Sequence, residues 1–341
     1  MGFPEGSDLR NSSQVLVELP EDEMRIKFAP DETIVFVSSS GHCNLDCSYC
    51  IVSPVVKHNP SLTYEDLRFV HESIGGKAFF IFSGKGDFFA GYPKSERLLA
   101  RLLDHDDIGV ALDVNGVVIH CFDSLTASQL AKIRHINLTF HYRQLLAHKA
   151  LKVWKQNALT MLRKADSEDF FVNIILSPPE SALWEEALAW YQENVFAQYR
   201  KQIILINDVN LPLTSADEQV VARLYERFGP LIRSTRRGNF EAVLKEFDHV
   251  SCPAGQSYFR VWNDGKIEAC PNIDELRNAG NAKDRTFFPR SEPYSCSSVR
   301  FCDCYHIASA GKMVFHKLDA PAPAPAKHKN VVAWLTDFRH R

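Results

Sequence analysis

The sequence predicts an α/β protein whose main body is a parallel sheet, followed by a small cysteine-rich module that contains a β-hairpin. From Thr33 onward, short β-branched or aromatic runs alternate with stretches of helical periodicity. Such alternation is typical of parallel strands joined by right-handed helical crossovers. Beyond about residue 245 the alternation stops and cysteines become frequent. The chain therefore divides into a sheet domain and a smaller C-terminal module.

Six runs are predicted as strands, namely Ile34–Ser38, Ala78–Phe82, Gly109–Val114, Ile136–His141, Phe171–Leu176 and Ile203–Ile206. Helices are predicted near residues 63–74, 94–104, 124–132, 144–165, 181–196 and 216–228, and Thr63 with Asp66 suggests a capping box at the first. Six units are too few for a closed eight-unit barrel, so an open partial barrel and a doubly wound sheet both fit. In either fold, ligands bind at the carboxyl ends of the strands.

The composition is that of an ordinary soluble globular protein, with 45% hydrophobic residues, 24% charged residues and a formal net charge of −3. We therefore expect no nucleic-acid partner. The sequence has no apolar run long enough to span a membrane and no secretory signal pattern at its start. The nine cysteines are closely spaced, which favours metal ligation over disulfides. These features predict a cytoplasmic protein without a membrane segment.

Four regions are predicted along the chain: an N-terminal extension over residues 1–30, the sheet domain over 31–240, the cysteine-rich module over 241–318 and a tail over 319–341. A short strand is predicted at Val15–Leu19. The tail begins with an Ala/Pro spacer, which favours an extended backbone.

Cys43, Cys47 and Cys50 lie in the segment GHCNLDCSYC, directly after the first predicted strand. Three closely spaced thiolates can hold three irons of a 4Fe-4S cube and leave the fourth iron open to a ligand. A zinc-binding loop and three unconnected thiols are the alternative interpretations.

This segment resembles the radical S-adenosylmethionine (SAM) superfamily motif, C-x-x-x-C-x-aromatic-C after the first strand of a partial (β/α)6 TIM-like barrel, with Tyr49 at the aromatic position. The resemblance implies that the open iron chelates the methionine part of SAM. It also implies that the reduced cluster cleaves SAM to a 5′-deoxyadenosyl radical, and that Tyr49 packs near the adenine. An external electron donor such as flavodoxin or ferredoxin is then required.

Further positions match the family's SAM contacts. In FSGKGDFF, four residues loosely resemble the Gly-Gly-Glu-Pro-like segment after the second strand, although Lys85 interrupts it and Asp replaces Glu; they are Ser83, Gly84, Gly86 and Asp87. Glycines allow close approach of the backbone to a ligand, and a carboxylate can pair with an ammonium group.

Further candidate ligand contacts lie just after the third predicted strand, at the end of the fourth and on the fifth. Asn115 contacts the ribose or stabilises a turn. Thr139 and His141 are predicted to share one strand face, because side chains alternate along a strand. His141 is then either a SAM or catalytic contact or a structural histidine, and Asn173 is a weaker candidate of the same kind.

Cys252 and Cys270 enclose a predicted hairpin, Ser257–Trp262 and Lys266–Ala269, that turns at Asp264-Gly265. This arrangement resembles the auxiliary-cluster modules called SPASM and twitch. Three further thiols follow at Cys296, Cys302 and Cys304.

Five thiols are too few for two fully ligated cubes, so one auxiliary 4Fe-4S cluster is predicted, with one thiol left over. A structural zinc site is the alternative. Cys121 is predicted to be a buried core residue.

The resemblance implies hydrogen abstraction from a carbohydrate-like small molecule or a ribosomally made peptide, for dehydrogenation, epimerisation or crosslinking. A spare thiol such as Cys304 can return a hydrogen atom in an epimerisation. The alternative class is a non-catalytic iron-sulfur or zinc protein in electron transfer or scaffolding.

Overall fold

The computed structural model describes residues 13–15, 28–38, 42–50, 62–84, 86–91, 94–165, 170–208, 210–233, 249–270, 272–296 and 314–317. Within these ranges the chain forms a large, mostly parallel sheet, a smaller antiparallel sheet and a layer of helices. The predicted mixed α/β fold is confirmed. None of the described helices is long and apolar enough to cross a lipid bilayer.

The strands are β1 Ser13–Val15, β2 Thr33–Ser38, β3 Ala78–Ser83, β4 Ile108–Val114, β5 Ile133–Thr139, β6 Phe170–Leu176, β7 Ile203–Asn207, β8 Ile232–Arg233, β9 His249–Cys252, β10 Tyr258–Val261, β11 Lys266–Glu268, β12 Gly280–Asn281, β13 Thr286–Phe287, β14 Tyr294–Cys296 and β15 Val314–Lys317. The helices are α1 Tyr64–Ile74, α2 Lys94–Leu103, α3 Ala127–Leu130, α4 Tyr142–Ala147, α5 Leu151–Lys164, α6 Trp184–Tyr191, α7 Ala197–Tyr199 and α8 Ser215–Phe228.

In the large sheet, β2 to β8 lie side by side in chain order, and each pair of neighbours is parallel. All six predicted strands are present here. On the other side of β2 lies β10, also parallel, followed by the antiparallel strands β11, β12 and β13. The predicted hairpin therefore exists as β10–β11, and it extends the sheet domain directly.

The helices pack on one face of this sheet. Buried side chains of α1, α2, α5, α6 and α8 share one core with alternate strand residues such as Val35, Phe80 and Leu112. A doubly wound sheet reverses its strand order and carries helices on both faces. Neither feature is found in the described part of this sheet, so the doubly wound alternative does not fit.

The opposite face of the sheet packs against the C-terminal module. Ile34, Phe79 and Ile81 form a second core with Cys252 and Tyr258. Because side chains alternate along a strand, these residues point away from the helices. The helix-free face and the cysteine-rich module are therefore in direct contact.

The smaller sheet has the strand order β1-β15-β9-β14. Strand β1, from the predicted N-terminal extension, pairs with β15, and β15 pairs with β9. The pairing of Ser13 with Lys317 joins the two ends of the described chain, a separation at which local patterns give no information. The predicted strand at Val15–Leu19 coincides with the described residues at Val15 alone, and residues 16–20 lie outside them.

Three predicted elements have different bounds. The helix predicted over 144–165 is two helices, α4 and α5, which separate where Lys149 takes a left-handed φ of 56°. The helix near 124–132 is shortened to α3. Strand β5 ends at Thr139, so His141 lies beyond it, in the N-cap position of α4.

The capping box at Thr63 is confirmed, because the Asp66 amide donates to Thr63 Oγ1 and the Thr63 amide donates to the Asp66 carboxylate. We expect Thr63→Ala to lower the free energy of unfolding by about 1 kcal/mol, since it leaves orphan amide groups at the start of α1. Denaturant titration measures this loss. Thr63→Ser keeps the capping oxygen and should unfold close to wild type; an equal loss in both variants would contradict the capping role.

Candidate functional site

The three cysteines of the first group lie in one loop after β2, at the carboxyl edge of the parallel strands. The Cys50 amide donates to the Cys47 carbonyl at 3.1 Å, and the buried Leu45 anchors the loop from within. None of the three forms a disulfide. The structure thus brings Cys43, Cys47 and Cys50 together where sequence reasoning expected a ligand site.

Their electrostatics indicate mutual proximity. Burial raises the pKa of Cys43, and Asp87 and Cys50 raise it further, although a backbone hydrogen bond opposes them. Burial also raises the pKa of Cys47 to about 12, with added repulsion from Cys43 and Cys50. A cation that binds these sulfurs must therefore displace protons, so metal affinity falls as the pH falls.

The spacing of the thiols argues against one zinc ion. Two sulfurs that share a zinc, each about 2.3 Å from it, lie at most about 4.6 Å apart. Among the described residues, no three cysteines have their sulfurs within 4.8 Å of one another. In this conformation a multi-iron cluster, which spreads its ligands over several metal ions, fits the loop better.

The turn after β3 presses against the start of the cysteine loop. Gly84 and Gly86 have φ values of 91° and 84°, a region that favours glycine. A Cβ on Gly86 would lie 2.3 Å from the carbonyl oxygen of His42, whereas a Cβ on Gly84 would meet only the Phe36 ring at 3.5 Å. Gly86 is therefore needed for close approach of the two loops.

Asp87 joins the loops that follow β2, β3 and β4. Its amide donates to the His42 carbonyl at 2.7 Å, and its carboxylate accepts from the amides of Phe89 at 3.0 Å and Asn115 at 2.6 Å. Burial raises the pKa of Asp87 to about 6, against these stabilising hydrogen bonds. The geometry gives Asp87 a bracing role, and the predicted contact with a SAM ammonium group stays a prediction.

Asn115 connects the hydrogen bonds of Asp87 to the cysteine loop. Its Nδ2 donates to Asn44 Oδ1 at 2.6 Å and to Cys43 Sγ at 3.7 Å, and its Oδ1 accepts from the Val117 amide at 3.0 Å. The predicted ribose contact is untested. Sequence reasoning missed Asn44, whose position inside the cysteine motif was the available signal.

His141 and Tyr49 meet beside Cys47. The Tyr49 hydroxyl lies 2.7 Å from His141 Nδ1, and Cys47 Sγ lies 3.3 Å from the same nitrogen. Burial lowers the pKa of His141 to about 4, so the ring is neutral at pH 7. Burial and the nearby Cys47 both raise the pKa of Tyr49. The Nδ1 atom of a neutral His141 either donates to Tyr49 and Cys47 or accepts from them, according to its tautomer.

Thr139 and Asn173 pair in register on neighbouring strands of the sheet. Asn173 donates to Asn137, and its buried Oδ1 has no hydrogen-bond partner among the described residues. Ser83 pairs with Ser38, whose buried hydroxyl is likewise unsatisfied there. A buried polar atom without a partner costs about 1–3 kcal/mol, so these atoms favour a polar ligand or water.

Sequence reasoning missed the polar residues after β6 and β7. Glu180 is buried 3.6 Å from Arg143, and Tyr49, Arg143 and Glu180 line a small cavity. Burial raises the pKa of Glu180, and Arg143 opposes the rise. The amide side chain of Asn210 donates to the Tyr49 carbonyl at 3.2 Å. Their positions just beyond parallel strands were the signal that could have identified them.

Three of the five C-terminal cysteines are described. Cys252 and Cys296 lie on the paired strands β9 and β14, and both belong with Cys270 to the second core. The pKa of Tyr294 is raised by burial and then by Glu275, Cys296 and Cys270 among its neighbours. Cys302 and Cys304 lie outside the described residues, as does the side chain of Cys121.

No family model matches the sequence, and no curated protein matches it. Among solved structures, BtrN in complex with AdoMet and 2-DOIA is 13% identical, with 82% of this chain and 85% of that chain covered and a TM-score of 0.33. A spore photoproduct lyase mutant with bound AdoMet and dinucleoside spore photoproduct is 11% identical, with 54% and 52% covered and a TM-score of 0.27. Both scores are below 0.5, so these similarities assign no family.

We expect Gly86→Ala to reduce the iron bound at the cysteine loop. The new Cβ collides with the His42 carbonyl, so the loop must shift, in addition to backbone strain of about 1–2 kcal/mol. Iron per chain after anaerobic reconstitution measures the effect. Gly84→Ala carries similar φ strain without the collision and should retain its iron; equal losses would contradict the close-approach argument.

Asn115→Asp should also weaken the cysteine site. The substitution replaces the Nδ2 donor by an acceptor that faces Asn44 Oδ1 and Cys43 Sγ, while it keeps an oxygen for Val117. Iron retention during dialysis against a chelator reports the loss. Asn157→Asp is the matched control, because Asn157 holds the same turn through the Gly116 and Val117 carbonyls. If the control loses as much iron, Asn115 acts only on the turn.

Proposed function

We propose that this protein is a radical SAM enzyme. The observation that carries the proposal is the set of three thiols in one braced loop at the carboxyl edge of parallel strands. Among the described residues, no three cysteine sulfurs lie within 4.8 Å of one another, as three ligands of one zinc would. They form the motif C-x-x-x-C-x-aromatic-C, which resembles that of the radical SAM superfamily, with Tyr49 at its aromatic position.

The topology supports the finer fold proposal of a partial (β/α)6 TIM-like barrel. Strands β2 to β7 supply six units in chain order, with helices on one face only. Strands β8 and β10 add one parallel strand at each side of this set. The helix-free face is then the inside of an open barrel.

The described residues fit a bound SAM at this edge. Reductive cleavage of SAM at the cluster supplies a 5′-deoxyadenosyl radical. Tyr49, at the aromatic position of the motif and 2.7 Å from His141 Nδ1, is proposed to pack near the adenine. The turn Ser83–Gly84 and Gly86–Asp87 brings backbone close to the cysteine loop, with Asn115, Thr139, His141 and Asn173 as further contacts.

We further propose an auxiliary 4Fe-4S cluster of the twitch type in the C-terminal module. Cys252, Cys270 and Cys296 would supply three ligands, and Cys302 or Cys304 the fourth. The three described cysteines share a core with Ile34 and Ile81, on the helix-free face. A second cluster there could accept an electron from a substrate held inside the barrel, and a spare Cys304 could return a hydrogen atom.

The substrate is proposed to be a small polar molecule, carbohydrate-like, with a peptide as the second candidate. The observation in favour is the polar lining of the sheet at β5 and β6, where Asn173 donates to Asn137 and Asn173 Oδ1 has no partner among the described residues. Dehydrogenation, epimerisation and crosslinking are all compatible with this lining. A flavodoxin or ferredoxin is the proposed electron donor.

Metal counting tests the proposal. The anaerobically reconstituted protein should hold about eight irons, and a variant with Cys43→Ala, Cys47→Ala and Cys50→Ala about four, because each cube holds four. With SAM and dithionite, only proteins with the intact loop should form 5′-deoxyadenosine. Cys121→Ala serves as the matched cysteine control and should keep all the iron.

A second variant separates the two clusters. Cys252→Ala with Cys270→Ala should lose about four irons and still cleave SAM, because the cysteine loop is intact. A wild-type protein that binds iron but forms no 5′-deoxyadenosine would favour a non-catalytic iron-sulfur protein. A protein that holds only zinc would overturn the cluster assignment.

A further inference from the structure

A second group of metal-ligating side chains lies at the opposite edge of the sheet. His71 is in the last turn of α1, and His105 and Asp107 lie in the connection from α2 to β4. This connection precedes β4, so it is at the amino edge of the parallel strands, whereas the cysteine loop is at the carboxyl edge. The group therefore takes no part in the proposed SAM site.

The three side chains are close enough to share one cation. One ligand atom from each lies within 4.8 Å of the others, and no other described group of three or more His, Cys, Asp or Glu meets this condition. His71 Nε2 lies 3.0 Å from Asp107 Oδ2. Two ligand atoms that are each about 2.1 Å from one metal lie about 3.0–3.4 Å apart in octahedral or tetrahedral geometry. The observed separation matches that range.

Among the described residues, Asp107 alone contacts the ring nitrogens of His71, and it does so at Nε2. His71 is only 7% exposed, and its Nδ1 has no hydrogen-bond partner among the described residues. The other histidine is oriented, because the Tyr64 hydroxyl lies 2.7 Å from His105 Nε2. A hydrogen bond to one ring nitrogen fixes the tautomer and frees the other nitrogen for a metal, as in many metal sites.

A second His–Asp pair in the protein provides an internal comparison. His148 Nε2 lies 3.0 Å from Asp46 Oδ1, the same separation as in the His71–Asp107 pair. Both partners of that pair are largely exposed, and no third described His, Cys, Asp or Glu side chain joins them. The buried imidazole and the second histidine are what distinguish the amino-edge group.

We propose that His71, His105 and Asp107 bind one first-row divalent cation, with zinc as the best-fitting ion. Two imidazoles and one carboxylate suit zinc, and the exposed side of Asp107 leaves a coordination position open to water. The ion fastens the end of α1 to the connection between α2 and β4. Its role is structural, and it does not depend on the proposed radical chemistry.

Cobalt(II) and zinc titrations of the full chain test this site. The cysteines also bind these ions, so the informative quantity is the difference between variants. Compared with wild type, His105→Ala should lose one zinc per chain in calorimetry. It should also lose the d–d absorption of a cobalt ion without sulfur ligands, which has no accompanying sulfur charge-transfer band. His148→Ala should retain both signals.

Asp107→Asn separates metal binding from hydrogen bonding. The amide oxygen can still accept from His71 Nε2, but the negative charge that favours a cation is removed. We expect zinc affinity at this site to fall at least roughly tenfold while circular dichroism stays unchanged. Zinc should raise the thermal midpoint of wild type more than that of Asp107→Asn.

The proposal is overturned if wild type, His105→Ala and Asp107→Asn bind equal zinc with equal affinity, since the group is then a hydrogen-bonded cluster only. Should His105→Ala fail to fold, the comparison of Asp107→Asn with wild type decides alone. Failure here leaves the SAM-cleavage assay untouched, because the two sites are at opposite edges of the sheet.

Discussion

The buried carboxylate of Asp87 is the constraint on which the site depends. Through its amide and both carboxylate oxygens it joins His42, Phe89 and Asn115, so three loops are held by one residue. Asn115 passes this support to Asn44 and Cys43. Because these hydrogen bonds are buried, losing one would leave unsatisfied amides, and the cysteine loop is accordingly held in one arrangement.

The arrangement of helices on the large sheet determines where the C-terminal module packs relative to the cysteine loop. The helices in the described part of the chain cover one face, and the C-terminal module lies on the other, where Cys252 packs with Ile34 and Ile81. The hairpin β10–β11 continues the sheet beside β2, the strand that leads into the cysteine loop. Cys270 follows a strand of the large sheet, whereas Cys252 and Cys296 lie on the smaller sheet, which packs against it; this contact is the physical basis for proposing that the two cysteine groups act together.

Around Cys47, burial controls protonation. It keeps His141 neutral and raises the pKa values of Cys47 and Tyr49. The three uncharged groups are in hydrogen-bond contact through His141 Nδ1. Glu180 shows the same effect at the edge of the neighbouring cavity. At the amino edge of the sheet, His71 is buried among different partners, and the contrast shows that one fold can hold two chemically distinct groups of ligands.

The sequence by itself determined the six strands, the hairpin, the capping box at Thr63 and the position of the cysteines after β2, because each depends on residues near one another in the chain. The one-sided helix layer, the pairing of β1 with β15 and the contacts of Asp87 with Asn115 were decided by the tertiary structure. The same holds for the group at His71, whose members come from separate elements. Contacts between distant segments depend on how the strands and helices pack, and the local periodicity of the sequence does not specify that packing.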